Sequence, residues 1–180
     1  VGFIGAASMA GQRNGEAKEN QDTFYTSANG SVACVAVVDG HGRRGAVLSA
    51  AARDAIAVAM KELKSGSSEE LAKVVLRVDA ELLIHQKAEP ELSGATCAVM
   101  QVDGIGQQKR RLSLVHLGDC GADSFAPVLS LLSSSPLLLF ATSCFPVLGR
   151  MKAKNSGSNG ANTWSAVRLT EDHRPGEDKE

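Results

Sequence analysis

The sequence predicts a protein of the α+β class. The prediction depends on three observations: a continuous Val-rich apolar run at residues 32–38, two consecutive stretches with helical spacing of apolar residues, and two strand-like runs at 95–102 and 111–117. A short continuous apolar run is typical of a strand that is buried on both faces. Apolar residues at i, i+4, i+7 and i+8 are typical of amphipathic helices.

The chain begins with residues rich in Gly, Asn and Ser, which predict a loop or weakly paired strands over residues 1–31. The strand at 32–38 follows, and we expect it to end in a turn at residues 39–42. The first helix is predicted over residues 43–64, with Gly66 ending it.

The second helix is predicted to begin with Ser67 and Glu70, which have capping-box spacing, and to run to about residue 88. We expect the two helices to be antiparallel neighbours. Residues 93–96 are interpreted as a turn, with two hydroxyls bonding the local backbone. The runs at 95–102 and 111–117 predict a hairpin with a longer loop, and strand character returns at residues 164–169.

Composition restricts the function. The 180 residues are 43% hydrophobic and 22% charged, which suits one globular domain. A net charge of −1 argues against non-specific nucleic-acid binding, and the absence of a dense basic run argues against a membrane surface. The four cysteines form no C-x-x-C pair, so we expect reduced thiols in an intracellular protein, cytoplasmic or nuclear.

The segment from residue 124 to 149 contains no charged residue, and its length matches a membrane span. Pro127, Pro136 and Pro146 argue against a spanning helix, because proline breaks the helical hydrogen-bond ladder. The chain begins with Val1, without a signal-peptide pattern, and stops within a charged run at Glu180. We therefore expect it to be part of a longer protein.

Acidic residues at strand ends carry the strongest chemical signal. Asp39 and Gly40 place a carboxylate and a carbonyl at the end of the apolar strand, where hard cations find oxygen ligands, and His41 could act as an acid or base. The structural alternative is a tight turn in which Asp39 caps the next helix. Asp22 and Asp119 are further candidates, and three such acids suit a divalent-metal hydrolase. The sequence has no Walker-type loop and no zinc-type spacing.

Taken in order, five short motifs resemble those of the type 2C (PPM-type) metal-dependent protein serine/threonine phosphatases. The motifs are Lys18-x-Asn20-Gln21-Asp22, Val38-Asp39-Gly40-His41-Gly42, Ser93-Gly94-Ala95-Thr96, His116-Leu117-Gly118-Asp119-Cys120 and Leu169-Thr170-x-Asp172-His173-x-Pro175. Each is weak alone, but their order, with a helix pair between the second and third, is specific.

The resemblance implies a four-layer α-β-β-α sandwich, incomplete at its C-terminus, with two or three Mg²⁺ or Mn²⁺ ions at one end of the sheets. It implies that Asp39 bridges two ions, that the Gly40 carbonyl ligates one, and that Asp22 lies nearby and binds through water or through another ligand. Asp119 matches an acid linked to a third ion. His41 matches the residue that protonates the leaving seryl or threonyl oxygen while a metal-activated water attacks phosphorus.

Lys18 stands near the sequence position at which the family often has a phosphate-holding arginine, and Arg13 is the other basic candidate for that role. The chain departs from the family at Gln21, where many members have Glu, so the metal shell is expected to lose one charge. The family's later Asp-Gly and Asp-Asn motifs are absent, and we expect the 180 residues alone to be inactive.

Residues 123–146 interrupt what would otherwise be a continuous strand from Gly121-Ala122 to Val147. We interpret them as an insertion or a retained intron within a partial phosphatase domain over residues 1–180. Transcript reads that join codons 122 and 147 would support this interpretation, and a peptide recovered from residues 129–140 would contradict it.

The resemblance predicts a monomeric phosphatase that acts on phosphoserine and phosphothreonine in proteins and binds no nucleic acid. One alternative is a pseudophosphatase, a binding module with the same fold and an incomplete metal site. A second alternative is an unrelated metal-dependent phosphoesterase that uses the same Asp-Gly-His sequence.

Overall fold

The computed structural model describes residues 4–63, 66–85, 92–107, 110–127, 138–142 and 164–168. Two helices and nine strands lie in these ranges: β1 Gln12–Arg13, β2 Glu16–Ala17, β3 Asp22–Asn29, β4 Val32–Gly42, α1 Gly45–Glu62, α2 Ser68–His85, β5 Ser93–Asp103, β6 Arg111–Leu117, β7 Gly121–Pro127, β8 Leu138–Thr142 and β9 Trp164–Arg168. The predicted α+β class, both helices and the hairpin of β5 and β6 are confirmed.

The main sheet has four strands in the order β3-β4-β5-β6, and every neighbouring pair is antiparallel. β3 pairs with β4 along its whole length, from Asp22 opposite Asp39 to Asn29 opposite Val32. Of the two alternatives for the first 31 residues, paired strands are therefore correct for 22–29. β1 and β2 form a separate two-stranded hairpin.

Two predicted turns are wrong, and they are wrong for the same reason. β4 continues through Gly42, and β5 begins at Ser93, because these two segments pair with each other: Asp39 lies opposite Thr96 and Gly42 opposite Ser93. The glycines that suggested turns instead allow backbones to approach closely. The structure thus replaces two loops with a longer strand pair that reaches the candidate site.

The helices form where the sequence predicts them. α1 begins and ends two residues inside its predicted bounds, and the predicted end of α2 near residue 88 lies outside the described residues. The capping box of α2 is confirmed, because the Ser67 N–H donates to Glu70 Oε2 at 2.7 Å and the Glu70 N–H donates to Ser67 Oγ at 3.3 Å. α1 lacks a side-chain cap from its own N-cap residue, Arg44. Instead, the Arg44 N–H donates to Ser93 Oγ at 3.1 Å, so β5 caps α1.

The core lies between the helices and one face of the main sheet. Its buried members are Cys34, Ala36, Val38, Ala52, Ile56, Met60, Leu71, Val75, Val78, Cys97 and Val99. Cys34, Cys97 and Cys120 are buried free thiols, as predicted, while Cys144 lies outside the described residues. Alternation along β4 and β5 leaves the other sheet face for the residues between these core positions.

A second sheet, in the order β8-β7-β9, follows the main sheet, and its strand β8 contacts β4. β9 confirms the strand predicted near the C-terminus. β7 and β8 include residues 124–127 and 138–142 of the uncharged segment, and the interpretation of 123–146 as an insertion stays a prediction. Within the described ranges, neither helix is long and apolar enough to cross a membrane.

Candidate functional site

Two of the predicted carboxylates are neighbours across strands. Asp22, the first residue of β3, is the register partner of Asp39 in β4, and Asp39 lies opposite Thr96 in β5. Side chains at directly opposite positions share a sheet face, with Cβ atoms about 4.5–5.5 Å apart. Val38 and Cys97, which are adjacent in sequence to this row, are core residues facing the helices. The row therefore lies on the sheet face away from the helices.

Asp119 reaches the same end of the sheet by a turn after β6. A Cβ on Gly118 would lie 2.5 Å from Thr96 Cγ2, so this turn packs directly on the row. Cys120 Sγ and Thr96 Oγ1 are 3.0 Å apart, which ties the residue after Asp119 to β5. The Asp119 side chain is exposed.

The three acids are therefore at one end of the sheet but are not equally close. Asp22 and Asp39 are on adjacent strands, whereas β5 separates β4 from β6. Two strand spacings put Asp119 roughly 10 Å from Asp39. Within the described ranges, no three His, Cys, Asp or Glu side chains are placed to hold a metal ion together.

The end of β4 presents a histidine beside the acidic pair. His41 is two residues after Asp39 in the same strand, so strand alternation directs both side chains to one face. His41 is exposed and lies opposite Gly94. A Cβ on Gly94 would lie 2.7 Å from His41 Nε2, which means that the imidazole rests over the glycine backbone. A larger residue at 94 would displace the ring.

Gly40 is fixed against the start of α1. A Cβ on Gly40 would collide with the Gly45 carbonyl and would lie 2.9 Å from the Gln21 carbonyl oxygen. The Gly40 N–H donates to that same Gln21 oxygen at 3.1 Å. Only glycine fits here, so the close approach of strand and helix sets the position of the Gly40 carbonyl.

The two basic candidates lie around the β1–β2 hairpin. Arg13 is the second residue of β1. Lys18 directly follows β2, and its N–H donates to Gly11 O at 2.8 Å. Its side chain is exposed. The phosphate-binding role of Lys18 and Arg13 stays a prediction.

Buried thiols lie beneath the sheet. Burial raises the pKa of Cys34 from 9.0 to about 12. Burial also raises the pKa of Cys97 to about 12, with smaller contributions from the Cys120 thiol and the Asp79 carboxylate. Both thiols are therefore protonated at neutral pH, and neither is a nucleophile.

The ligand atoms at the acidic pair are oxygens, the type that hard divalent cations prefer. The Asp22 and Asp39 carboxylates and the Gly40 carbonyl offer the oxygen ligands that Mg²⁺ and Mn²⁺ prefer. Two adjacent carboxylates are fewer protein ligands than a closed metal cage would use, but Mg²⁺ commonly keeps several waters. The described residues thus fit the cation with an open coordination shell.

A small pocket of about 30 Å³ lies between the helices and the sheet, and Asp79, Thr96 and Leu117 are part of its lining. This volume is close to that of one water molecule. It lies on the helix side of the sheet, so it is not the place where a substrate would meet the acidic pair. The candidate site is an exposed sheet edge.

Sequence reasoning missed three contacts of this site. Ser93 caps α1, Thr96 contacts Cys120, and the Gln21 Nε2–H donates to Gly42 O at 2.9 Å. The three glycines at 40, 42 and 45 are the sequence signal that could have indicated close packing of Gln21. All three contacts join segments that are distant in sequence.

No protein-family model and no curated protein matches the chain. Solved structures do match it. One is the PPM Ser-Thr phosphatase MsPP from Mycobacterium smegmatis in complex with cacodylate, with 26% identity, 66% of this chain and 46% of that chain covered, and a TM-score of 0.48.

A second match is a Stage II Sporulation E family protein from Thermanaerovibrio acidaminovorans, with 26% identity, 57% and 48% of the two chains covered, and a TM-score of 0.44. A third is the serine/threonine phosphatase PstP/Ppp from Mycobacterium tuberculosis, with 18% identity, 90% and 71% covered, and a TM-score of 0.45. Another structure of PstP is a complex with two manganese ions.

The chain spans about half the length of the first two of these proteins. Because every TM-score is below 0.5, the function has to be argued from the residues of this chain. The solved structures to which this chain is similar include PPM-type serine/threonine phosphatases.

Proposed function

We propose that the protein is a PPM-type phosphatase that hydrolyses phosphoserine and phosphothreonine in proteins. One observation carries the proposal: the register places Asp22 directly opposite Asp39, at the sheet end where the same strand continues into Gly40 and His41. Two half-buried carboxylates, a carbonyl and an exposed imidazole at one end of the sheet are the groups that a metal-dependent phosphoester hydrolase needs.

The proposed cation ligands are the Asp39 and Asp22 carboxylates and the Gly40 carbonyl, with Asp119 at a third, weaker position. These oxygen donors suit Mg²⁺ or Mn²⁺. When bound, such a cation lowers the pKa of water and neutralises charge on a phosphoryl oxygen. Two like-charged carboxylates on adjacent strands are themselves favourable only when positive charge lies between them.

His41 is proposed to hold the proton that the leaving seryl or threonyl oxygen takes up. Its exposure and its place on the same strand face as Asp39 support this role. Lys18 and Arg13, at the β1–β2 hairpin, are proposed to contact the phosphoryl group. An exposed edge, rather than a deep pocket, suits a phosphate carried on a large protein substrate.

The proposed domain is the four-layer sandwich of this family, of which the described residues supply the helix pair and the sheets. We propose further that the protein is a monomer in the cytoplasm or nucleus. Size-exclusion chromatography with light scattering, and imaging of a tagged protein in cells, test these two statements.

The test uses the full-length gene product and a phosphothreonine peptide. We expect turnover that requires Mn²⁺ or Mg²⁺ and stops with a chelator. Asp39→Asn should lower kcat/KM more than about a hundredfold, because even outer partners of metal ligands contribute 10–100-fold. The matched control is Asp54→Asn on α1, whose exposed carboxylate pairs with Arg53 at 2.7 Å and should leave turnover unchanged. Equal activity in both variants would contradict the proposal.

A second candidate function is a metal-poor binding module. It is favoured by one observation, that the described residues place only two carboxylates on adjacent strands. Calorimetric titration of the full-length protein with Mn²⁺ separates the two functions. Tight, stoichiometric binding that Asp39→Asn abolishes supports the enzyme, and a protein that binds neither Mn²⁺ nor Mg²⁺ yet retains a phosphoprotein partner supports the module.

A further inference from the structure

Gln21 joins the three segments that form the candidate site. Its carbonyl oxygen accepts from the Gly40 N–H at 3.1 Å, and its side-chain Nε2–H donates to Gly42 O at 2.9 Å. Gln21 also directly precedes Asp22, the first residue of β3. One residue therefore bonds β4 on both sides of His41.

Two glycines pack closely against Gln21. A Cβ on Gly45 would lie 2.6 Å from Gln21 Oε1 and 2.9 Å from its Cδ. A Cβ on Gly40 would lie 2.9 Å from the Gln21 carbonyl oxygen. Gly42, which accepts the side-chain hydrogen bond, has φ +80°, a conformation that favours glycine. The carboxamide therefore has room beside Gly45 because that residue lacks a side chain.

The contacts of Gln21 hold the extended 39–42 segment on the β3 side, opposite its pairing with β5. The register pairs of β3 and β4 end at Asp22 and Asp39, and the next bond along is the one from Gly40 to Gln21. β3 begins at Asp22, so it has no strand residue opposite Gly42. The Gln21 side chain takes the place of that backbone partner by donating to Gly42 O.

We propose that Gln21 is a positioning residue whose carboxamide holds the Asp39–Gly42 segment of β4 extended against β3 and the start of α1. It thereby fixes Asp39 and His41 relative to Asp22. This inference rests on the proposed phosphatase function and assigns to Gln21 a role different from that of a metal-shell residue.

The amide, rather than a carboxylate, is what these surroundings require. Gly42 O needs a donor, and the Glu19 carboxylate lies 3.4 Å from Gln21 Nε2. A glutamate at position 21 would direct negative charge at a carbonyl oxygen and at a second carboxylate. The substitution Gln21→Glu therefore distinguishes positioning from metal binding, because the two roles predict opposite effects.

The experiment compares wild type, Gln21→Glu and Gln21→Met in the full-length protein. Gln21→Met keeps the length of the side chain and removes the donor. Gln107→Glu, at an exposed turn near the other end of the sheet, adds the same charge as Gln21→Glu and serves as the matched control. The readouts are amide hydrogen exchange of residues 39–45 without metal, Mn²⁺ affinity by calorimetry, and kcat and KM on a phosphothreonine peptide.

We expect both Gln21 variants to speed amide exchange of residues 39–45 by about tenfold, the effect of losing one such hydrogen bond. Mn²⁺ affinity and kcat should fall by a similar factor, whereas KM for the peptide should stay within about twofold of wild type. Gln107→Glu should change none of these.

Tighter Mn²⁺ binding by Gln21→Glu, with exchange of residues 39–45 unchanged, would overturn the inference and make position 21 a metal-shell position. Unchanged exchange in Gln21→Met would overturn it as well. If wild type hydrolyses no phosphopeptide, the proposed function fails, while the exchange measurement still decides whether Gln21 holds β4.

Discussion

The two ends of the main sheet differ in how their charged residues are paired. At one end, Asp22 lies directly opposite Asp39, so two acids share a register position. At the other end, Asp103 lies directly opposite Arg111, whose Nε and Nη2 donate to Asp103 Oδ2 at 3.0 and 2.7 Å. Gln101 Nε2 also donates to Asp103 Oδ1 at 3.1 Å.

Cross-strand pairs of opposite charge stabilise a sheet, and directly opposed like charges destabilise it. The Asp103–Arg111 pair needs nothing more to be favourable. The Asp22–Asp39 pair brings two like charges to one register position, and such arrangements are expected at functional sites. We therefore propose that the Asp103 end of the sheet contributes to stability and the Asp22 end to binding.

One buried thiol lies toward each end of the main sheet. The titration of these thiols gives the largest expected effect on the free energy of unfolding. Cys34 lies opposite Gln101, toward the ion-pair end, and Cys97 is adjacent to Thr96 in the acidic row. Burial raises the pKa of each to about 12 in the folded protein. Unfolded thiols lose their protons at lower pH, so folding stability is complete below about pH 9 and is lost as pH rises toward 12.

Each thiol should contribute a loss of about 1.4 kcal/mol per pH unit in this window. Urea unfolding between pH 8 and 11 measures the slope for wild type, Cys34→Ala and Cys97→Ala. We expect each substitution to reduce the slope by a similar amount, because burial raises the pKa of both thiols to about 12. A slope that neither substitution changes would show that the two thiols are not buried in the folded protein.

Arg111→Ala should produce the next largest effect. It removes two charge-assisted bonds to Asp103, and the exposure of the arginine limits the expected loss to about 1–2 kcal/mol in the free energy of unfolding. Denaturant titration measures the loss. Mn²⁺ affinity should remain within twofold of wild type, because this pair lies at the far end of the sheet. A large fall in Mn²⁺ affinity would contradict the separation of the two ends.

Asp22→Asn should have the smallest effect on stability and the opposite sign. Removing one of two opposed acids should raise the free energy of unfolding of the metal-free protein by about 0.2–1 kcal/mol. The same variant should bind Mn²⁺ more weakly. Asp54→Asn is the control, because that exposed carboxylate is on α1 and faces no second acid across a strand. A destabilised metal-free Asp22→Asn protein would mean that the acidic pair already carries its own compensation.

The local sequence pattern was enough to predict the elements whose residues indicate only one kind of secondary structure. The capping box of Ser67 and Glu70, the apolar stripe of α2 and the Val-rich start of β4 each indicate one structure, and each is confirmed. The segment at 39–42 was predicted wrongly because glycines are equally typical of turns and of close backbone approach. Only its pairing with Ser93–Thr96, more than fifty residues away, decides between them.

The sequence by itself determined which residues are candidates for the chemistry: Asp39, Gly40, His41 and Asp119 follow apolar strands whose pattern is local and strong, and Asp22 comes from a short motif. The tertiary structure decided how they are arranged. Register places Asp22 against Asp39 and leaves Asp119 two strands away, and it turns Gln21 into the partner of Gly42. Periodicity reports which face a residue occupies, but distances across strands depend on pairings that no local pattern encodes.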